Sequence, residues 1–163
     1  MKKMIVMALV CAAAFLGAAE KNLLPARAVV YGKPNDKQST VINKNGQIDC
    51  AIAPKTVKGA SGAFYNVIFP KPITGAITFG GESKAEKVTG ASGTNYCIYL
   101  DLTFVDGKKL YGRSVSFKGG THDWQKASRT VKLEKPVKQI LFYVLFRNTT
   151  GKASFRNIYL YNK

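Results

Sequence analysis

The sequence predicts an all-β protein, a single antiparallel β-sandwich of the jelly-roll kind, and three observations predict it. After residue 20, apolar residues recur at a period of two, and no long stretch shows helical spacing. The alternating segments are short, and turn residues rather than helices separate them. The length of 163 residues suits one domain, and a hydrophobic fraction of 46% is ordinary for a packed core.

The N-terminus has the pattern of a secretory signal peptide. Two lysines form a positively charged start, an apolar stretch follows, and small residues end it at Ala19. This pattern predicts cleavage after Ala19. Residues 1–19 are then the signal peptide, and residues 20–163 form the β-sandwich. We expect a secreted or periplasmic protein whose mature chain has no membrane span, because the apolar run is shorter than the roughly 20 residues that a spanning helix needs.

The first half of the mature chain carries the weakest strand signals. Residues 32–62 are rich in Lys, Asn, Gly and Ser, so their elements are the hardest to assign. Further along, short alternating or β-branched runs predict five strands. They are Phe64–Phe69, Ala76–Phe79, Leu110–Phe117, Thr130–Leu133 and Ser154–Tyr161.

The clearest strand candidate is Tyr96–Phe104. Its alternation directs one set of side chains to the core, namely Ile98, Leu100, Leu102 and Phe104. The other set is expected to face solvent or a ligand, and consists of Cys97, Tyr99, Asp101 and Thr103. The Asp-Gly pair at 106–107 then predicts a hairpin turn.

The segment Gln139–Arg147 is the second strong strand candidate. Ile140, Phe142, Val144 and Phe146 fall on one face, whereas Leu141, Tyr143, Leu145 and Arg147 fall on the other. Both faces are fairly apolar, which predicts a central position in its sheet.

The composition limits the chemistry that the chain can carry. It has 25 Lys+Arg against 9 Asp+Glu, one His and three Cys, with a formal net charge of +16. So few acids and a single His favour a protein that is not an enzyme and that needs no metal or cofactor. The charge attracts polyanions, but the lysines are scattered and no nucleic-acid motif accompanies them. We therefore expect no nucleic-acid partner. The alternative to polyanion binding is a basic surface that only keeps the protein soluble.

Cys50 and Cys97 are the thiols that remain after the predicted cleavage. Export to an oxidising compartment would allow a disulfide between them. Two separately buried thiols are equally compatible with the sequence, because spacing along the chain does not tell whether their Cα atoms lie within bonding reach.

Four ordered stretches carry a resemblance to a known family. They are SKAEKV (83–88), YCIYLDLTFVDGKKLYG (96–112), FKGGTHDWQ (117–125) and KPVKQILFYVLFRNTTGKASFRNIYL (135–160). Together they resemble the carbohydrate-binding-module-like β-sandwiches of the galactose-binding-like group, which includes the CenC-type modules. The resemblance implies non-catalytic binding of a polysaccharide or other glycan, with a separate secreted glycan-degrading enzyme as a further partner. Many relatives hold a structural calcium, but Leu24-Pro25-Ala26-Arg27 and Arg156 stand where their acidic ligands would be, so we expect no calcium site.

Sugar-binding sandwiches stack aromatic rings on pyranose rings, and two of the predicted strands carry aromatic residues suited to this. Tyr99 and Asp101 on one strand, with Tyr143 and Arg147 on the other, have the register for such a site. Asp101 would accept from hydroxyls, and Arg147 would donate to hydroxyls or grip a carboxylate. The alternative is a structural Asp101–Arg147 ion pair with the tyrosines packed beside it.

Trp124 is held in reserve as a ligand contact, the alternative being that it packs under a loop where the chain enters a strand.

The sequence thus predicts a secreted carbohydrate-binding protein, with any glycan preference leaning towards acidic chains. One rival is a structural or adhesive surface protein that has lost sugar binding. Another is a jelly-roll polysaccharide lyase, although the sequence carries no lyase motif.

Overall fold

The computed structural model describes residues 21–32, 37–54 and 59–163, so the predicted signal peptide lies outside the described residues. Within these ranges the chain forms ten β-strands. They are β1 (Val29–Val30), β2 (Gln38–Ile42), β3 (Ile48–Ile52), β4 (Ala60–Ile73), β5 (Ala76–Thr89), β6 (Tyr96–Phe104), β7 (Lys109–Ser116), β8 (Gly120–Lys132), β9 (Val137–Arg147) and β10 (Thr150–Asn162). The described part of the chain contains no helix with the length and apolar character that crossing a bilayer would demand.

The strands form two five-stranded sheets. Sheet A has the order β1-β4-β9-β6-β7, and sheet B has the order β2-β3-β10-β5-β8. Every pairing between neighbouring strands is antiparallel. The structure therefore confirms the predicted all-β antiparallel sandwich. Strand β9 lies between β4 and β6, the central position that its two apolar faces predicted.

The core lies between the two sheets, and alternation along each strand fills it. On β6, Ile98, Leu100 and Leu102 are fully buried in this core, as their spacing predicted. On β9, Phe142 contacts rings from both sheets, with its centroid 5.8 Å from Tyr65 of sheet A and 6.5 Å from Phe79 of sheet B. This aromatic contact bridges the two layers.

Three strands are much longer than the sequence predicted. The run Phe64–Phe69 is the middle of β4, which spans Ala60–Ile73. The run Ala76–Phe79 is only the start of β5, which continues to Thr89 through glycines at 80 and 81. Of the run Thr130–Leu133, all but Leu133 lies at the end of β8, which begins at Gly120 and ends at Lys132. On β5, Gly80 on the outer face and Gly81 on the core face, where a Cβ would meet Ile98, interrupt the alternation. Pairing with neighbouring strands keeps the backbone extended.

The two cysteines lie on opposite sides of sheet A. Cys50 on β3 belongs to the core between the sheets, whereas Cys97 on β6 lies outside that core cluster, on the outer face. Both are buried free thiols. The disulfide that the sequence left open is not formed, because the Cys50 side chain lies between the sheets and the Cys97 side chain lies on the outer face of sheet A. Burial raises the pKa of each thiol to about 12, which leaves both of them protonated and poorly reactive at neutral pH.

Candidate functional site

A row of aromatic rings crosses the outer face of sheet A. Tyr99 on β6 is the register partner of Tyr143 on β9, and Tyr143 is the partner of Phe64 on β4. Cross-strand partners lie side by side, so the Tyr143 centroid is 6.0 Å from that of Tyr99 and 5.9 Å from that of Phe64. The row places two phenol rings and a phenyl ring on one surface.

A further ring approaches this row from the edge of the sheet. Tyr31, directly after β1, lies edge-on to Tyr143 with centroids 5.9 Å apart. Its backbone N–H donates to the carbonyl oxygen of Gly62 on β4 at 2.7 Å. Tyr31 is not among the site residues predicted from the sequence, because β1 has only two residues and alternation does not reveal its pairing with β4.

The structure brings together the four residues nominated on β6 and β9. They line one cleft of about 160 Å³ on the outer face of sheet A. Its described lining residues are Tyr31, Tyr99, Asp101, Tyr143, Leu145 and Arg147. That these side chains contact a ligand stays a prediction.

Two polar atoms of this cleft's residues have no partner within the protein. Oδ1 of Asp101 and Nε of Arg147 are shielded from solvent and make no hydrogen bond. Arg147 is held in place by its Nη2, which donates to Oγ1 of Thr94 at 2.9 Å. None of the ion pairs between described residues joins Asp101 to Arg147, so the structural ion pair considered above is not formed. Buried polar groups without partners are costly, which makes these two atoms candidates for ligand contacts.

The phenol groups of Tyr99 and Tyr143 are held in their neutral form. Burial raises the pKa of Tyr99, and the adjacent Asp101 carboxylate raises it further. Burial also raises the pKa of Tyr143, again with a contribution from the Asp101 charge. Both hydroxyls are therefore protonated at neutral pH and can donate as well as accept hydrogen bonds.

Trp124 does not belong to this cleft. It lies on β8, the edge strand of sheet B, on the opposite side of the sandwich. The Arg156 guanidinium stacks 3.8 Å from the centre of its ring, and Nε of Arg156 donates to Oε2 of Glu82 at 2.8 Å. The tryptophan is therefore part of a cation–π contact between β8 and β10.

Arg156 also stands at the position where the modules that this sequence resembles have a calcium ligand. Here its guanidinium engages the Glu82 carboxylate. Among the residues that the structure describes, no group of three or more His, Cys, Asp or Glu side chains is arranged to hold a metal ion. The absence of a calcium site stays a prediction.

We expect the substitution Arg156→Gln to raise the pKa of Glu82. The hydrogen bond from Arg156 is the largest cause that lowers this pKa in the fold. A lowered carboxyl pKa stabilises the fold above the unfolded value of about 4.3, and the contribution is lost as pH falls through the folded value. A carboxyl NMR titration measures the shift. Lys152→Gln, which removes a more exposed ion pair with Glu86, is the matched control, and an unchanged Glu82 titration in Arg156→Gln would contradict the prediction.

No protein-family model and no curated protein matches the chain. Solved structures do share its fold. The enzymatically active domain of tailspike protein 4 from bacteriophage CBA120 matches 84% of this chain with a TM-score of 0.58 at 10% identity, over 19% of its own length. A second structure contains the CBM22-1 and GH10 modules of Clostridium thermocellum endo-1,4-β-D-xylanase 10B, complexed with xylohexaose. It matches 83% of this chain with a TM-score of 0.52 at 12% identity, over 26% of its own length.

A smaller protein matches over nearly its whole length. A family 61 carbohydrate-binding module in complex with β-1,4-galactotriose covers 88% of this chain and 99% of its own, with a TM-score of 0.50 at 16% identity. The chain thus spans about a fifth of the tailspike domain but matches an entire module of this last kind. It has the β-sandwich fold of carbohydrate-binding modules.

Proposed function

We propose that the chain is a secreted, non-catalytic protein that binds polysaccharide in the cleft on the outer face of sheet A, with a preference for acidic chains. The observation that carries the proposal is that one tyrosine-lined cleft contains residues with an acceptor atom and a donor atom that make no hydrogen bond within the protein. Asp101 and Arg147 supply these two atoms. The fold shared with a module complexed with β-1,4-galactotriose supports it.

The chemistry of the cleft suits a sugar ring. A pyranose has C–H faces that pack on aromatic rings and hydroxyls at its rim that need donors and acceptors. Tyr99 and Tyr143 supply the rings and neutral hydroxyls. Asp101 accepts from sugar hydroxyls, while Arg147 donates to a hydroxyl or a carboxylate. Of the described residues that line the cleft, Asp101 alone carries a carboxylate, whereas most glycosidases use a pair.

The preference for acidic chains follows from charge at two scales. The full chain has a formal net charge of +16, and removal of Lys2 and Lys3 with the predicted signal peptide leaves +14, which attracts polyanions over long range. Arg147, at one end of the cleft, then gives a carboxylated sugar a charge-assisted hydrogen bond. The long-range attraction is screened by salt, and a contact inside the cleft is screened much less.

The test is retention of the mature protein on neutral and acidic polysaccharides at low and high salt. We expect salt-resistant retention on one acidic glycan. Arg147→Gln should weaken it by roughly 10- to 100-fold, since a hydrogen bond to a charged group is worth about 1.5–3 kcal/mol. Arg27→Gln removes the same charge from an exposed site and is the matched control.

Retention on every acidic polymer that disappears at high salt, with equal losses in both variants, would mean that only net charge is at work. The structural or adhesive alternative would then replace the proposal. Release of unsaturated uronate, measured by its absorbance, would instead identify a lyase.

A further inference from the structure

A second pair of aromatic rings lies on the outer face of sheet B. Tyr159 and Tyr161 on β10 flank Leu160, which is fully buried in the core, so both tyrosines point away from it. Their rings are nearly parallel, with an interplanar angle of 17° and centroids 4.9 Å apart. They lie on the opposite side of the sandwich from the Tyr99–Tyr143 cleft.

A glycine on the neighbouring strand makes room for this pair. Tyr159 is the register partner of Gly80 on β5. A Cβ at Gly80 would lie 2.8 Å from Oη of Tyr159, and still closer to the carbonyl oxygen of Ala127. Tyr159 therefore reaches across β5 rather than standing upright from β10. Glycine inside a strand weakens it and often marks a place where a ligand or another backbone approaches closely.

Polar groups surround the two rings. Thr78 is the register partner of Tyr161, and its hydroxyl lies 2.9 Å from that of Thr130. At the other end of the tyrosine pair, the register between β10 and β5 shifts between Arg156 and Tyr159. Asn157 lies in this irregular segment and has a φ of +50°. Lys126 and Asn157 line the same open cavity as the tyrosines, which has a volume of about 610 Å³. That volume lies within the range of about 300–1,000 Å³ that is typical of ligand sites.

We propose that Tyr159 and Tyr161 form a second glycan-binding surface. Because the two rings stack on each other, each has one face left for a ligand. Such an aromatic face beside hydroxyl, amide and ammonium groups matches a sugar, which has apolar ring faces and a hydroxyl rim. Because the two surfaces lie on opposite faces of one sandwich, one molecule joins two polysaccharide chains. The bridging rests on the proposed function of the Tyr99–Tyr143 cleft, whereas the second surface itself does not.

The experiment uses the glycan that the wild-type protein retains, at protein concentrations where it sediments as a monomer. Wild type is compared with Tyr159→Ala/Tyr161→Ala, Tyr99→Ala/Tyr143→Ala and the control Tyr111→Ala, an exposed tyrosine of β7. Retention reports binding, and light scattering by the dissolved polysaccharide reports bridging. Circular dichroism and the melting temperature show that each variant is folded, and Tyr161→Ala alone replaces the double variant if that one unfolds.

We expect wild type and Tyr111→Ala to raise the scattering, and each double variant to stay at baseline while still retaining glycan. Scattering at the wild-type level in folded Tyr159→Ala/Tyr161→Ala, or its single-site replacement, would overturn the second surface and leave the proposed function standing. If Tyr159→Ala/Tyr161→Ala loses all retention and Tyr99→Ala/Tyr143→Ala loses none, the second surface is supported and the first cleft is overturned. Absence of wild-type retention on every glycan would overturn both.

Discussion

Replacing Tyr99 and Tyr143 together by alanine is expected to abolish binding at the sheet A cleft without unfolding the sandwich. The two rings are register partners with centroids 6.0 Å apart, and they line the cleft with Asp101 and Arg147. Central aromatic contacts are commonly worth about 2 kcal/mol or more each, so each lost ring weakens binding by at least about 30-fold. Titration calorimetry with a soluble oligosaccharide of the retained glycan measures the loss.

The fold should survive this change because both side chains lie outside the core between the sheets. Tyr111→Ala is the matched control, since this tyrosine is also on sheet A but is 58% exposed and outside the described lining of the cleft. Wild-type affinity in the double variant, or an equal loss in Tyr111→Ala, would show that the cleft is not where the glycan binds.

The substitution Phe142→Ala is expected to lower the free energy of unfolding by about 3–5 kcal/mol. Phe142 is fully buried on the central strand β9, and its ring contacts Tyr65 of sheet A and Phe79 of sheet B. Alanine leaves a cavity between two rigid layers that cannot close it without moving a whole sheet. Urea unfolding followed by circular dichroism measures the change.

Ile68→Ala provides the control for this substitution. Ile68 lies on the adjacent strand β4 and is 67% exposed, so its loss should change the free energy of unfolding by no more than about 0.5 kcal/mol. A similar small change for Phe142→Ala would mean that the two sheets are not held together by this aromatic contact.

Sequence reasoning was most successful where a strand has one clearly apolar face. Along β6 the alternation separated Leu100 and Leu102, which are fully buried in the core, from Tyr99 and Asp101, which lie on the outer face. A side-chain period of two is a local property of an extended backbone, so no tertiary information was needed. The same logic identified Tyr143 and Arg147 on β9.

Sequence reasoning could not place a residue whose position depends on a distant strand. Trp124 was kept in reserve as a ligand contact; it lies on sheet B, stacked against Arg156 of β10, away from the four residues of the sheet A cleft. Tyr31 was missed, although pairing of β1 with β4 carries it to Tyr143. Neither outcome follows from local alternation, because each depends on which strands become neighbours.

The sequence by itself determined the all-β class and the two faces of the strongest strands, since both follow from local periodicity. Only the tertiary structure decided that Oδ1 of Asp101 and Nε of Arg147 lack hydrogen-bond partners, that Cys50 and Cys97 stay apart, and that Tyr159 lies across Gly80. Each of these depends on strand order and register, which are set by long-range pairing and by packing between the two sheets.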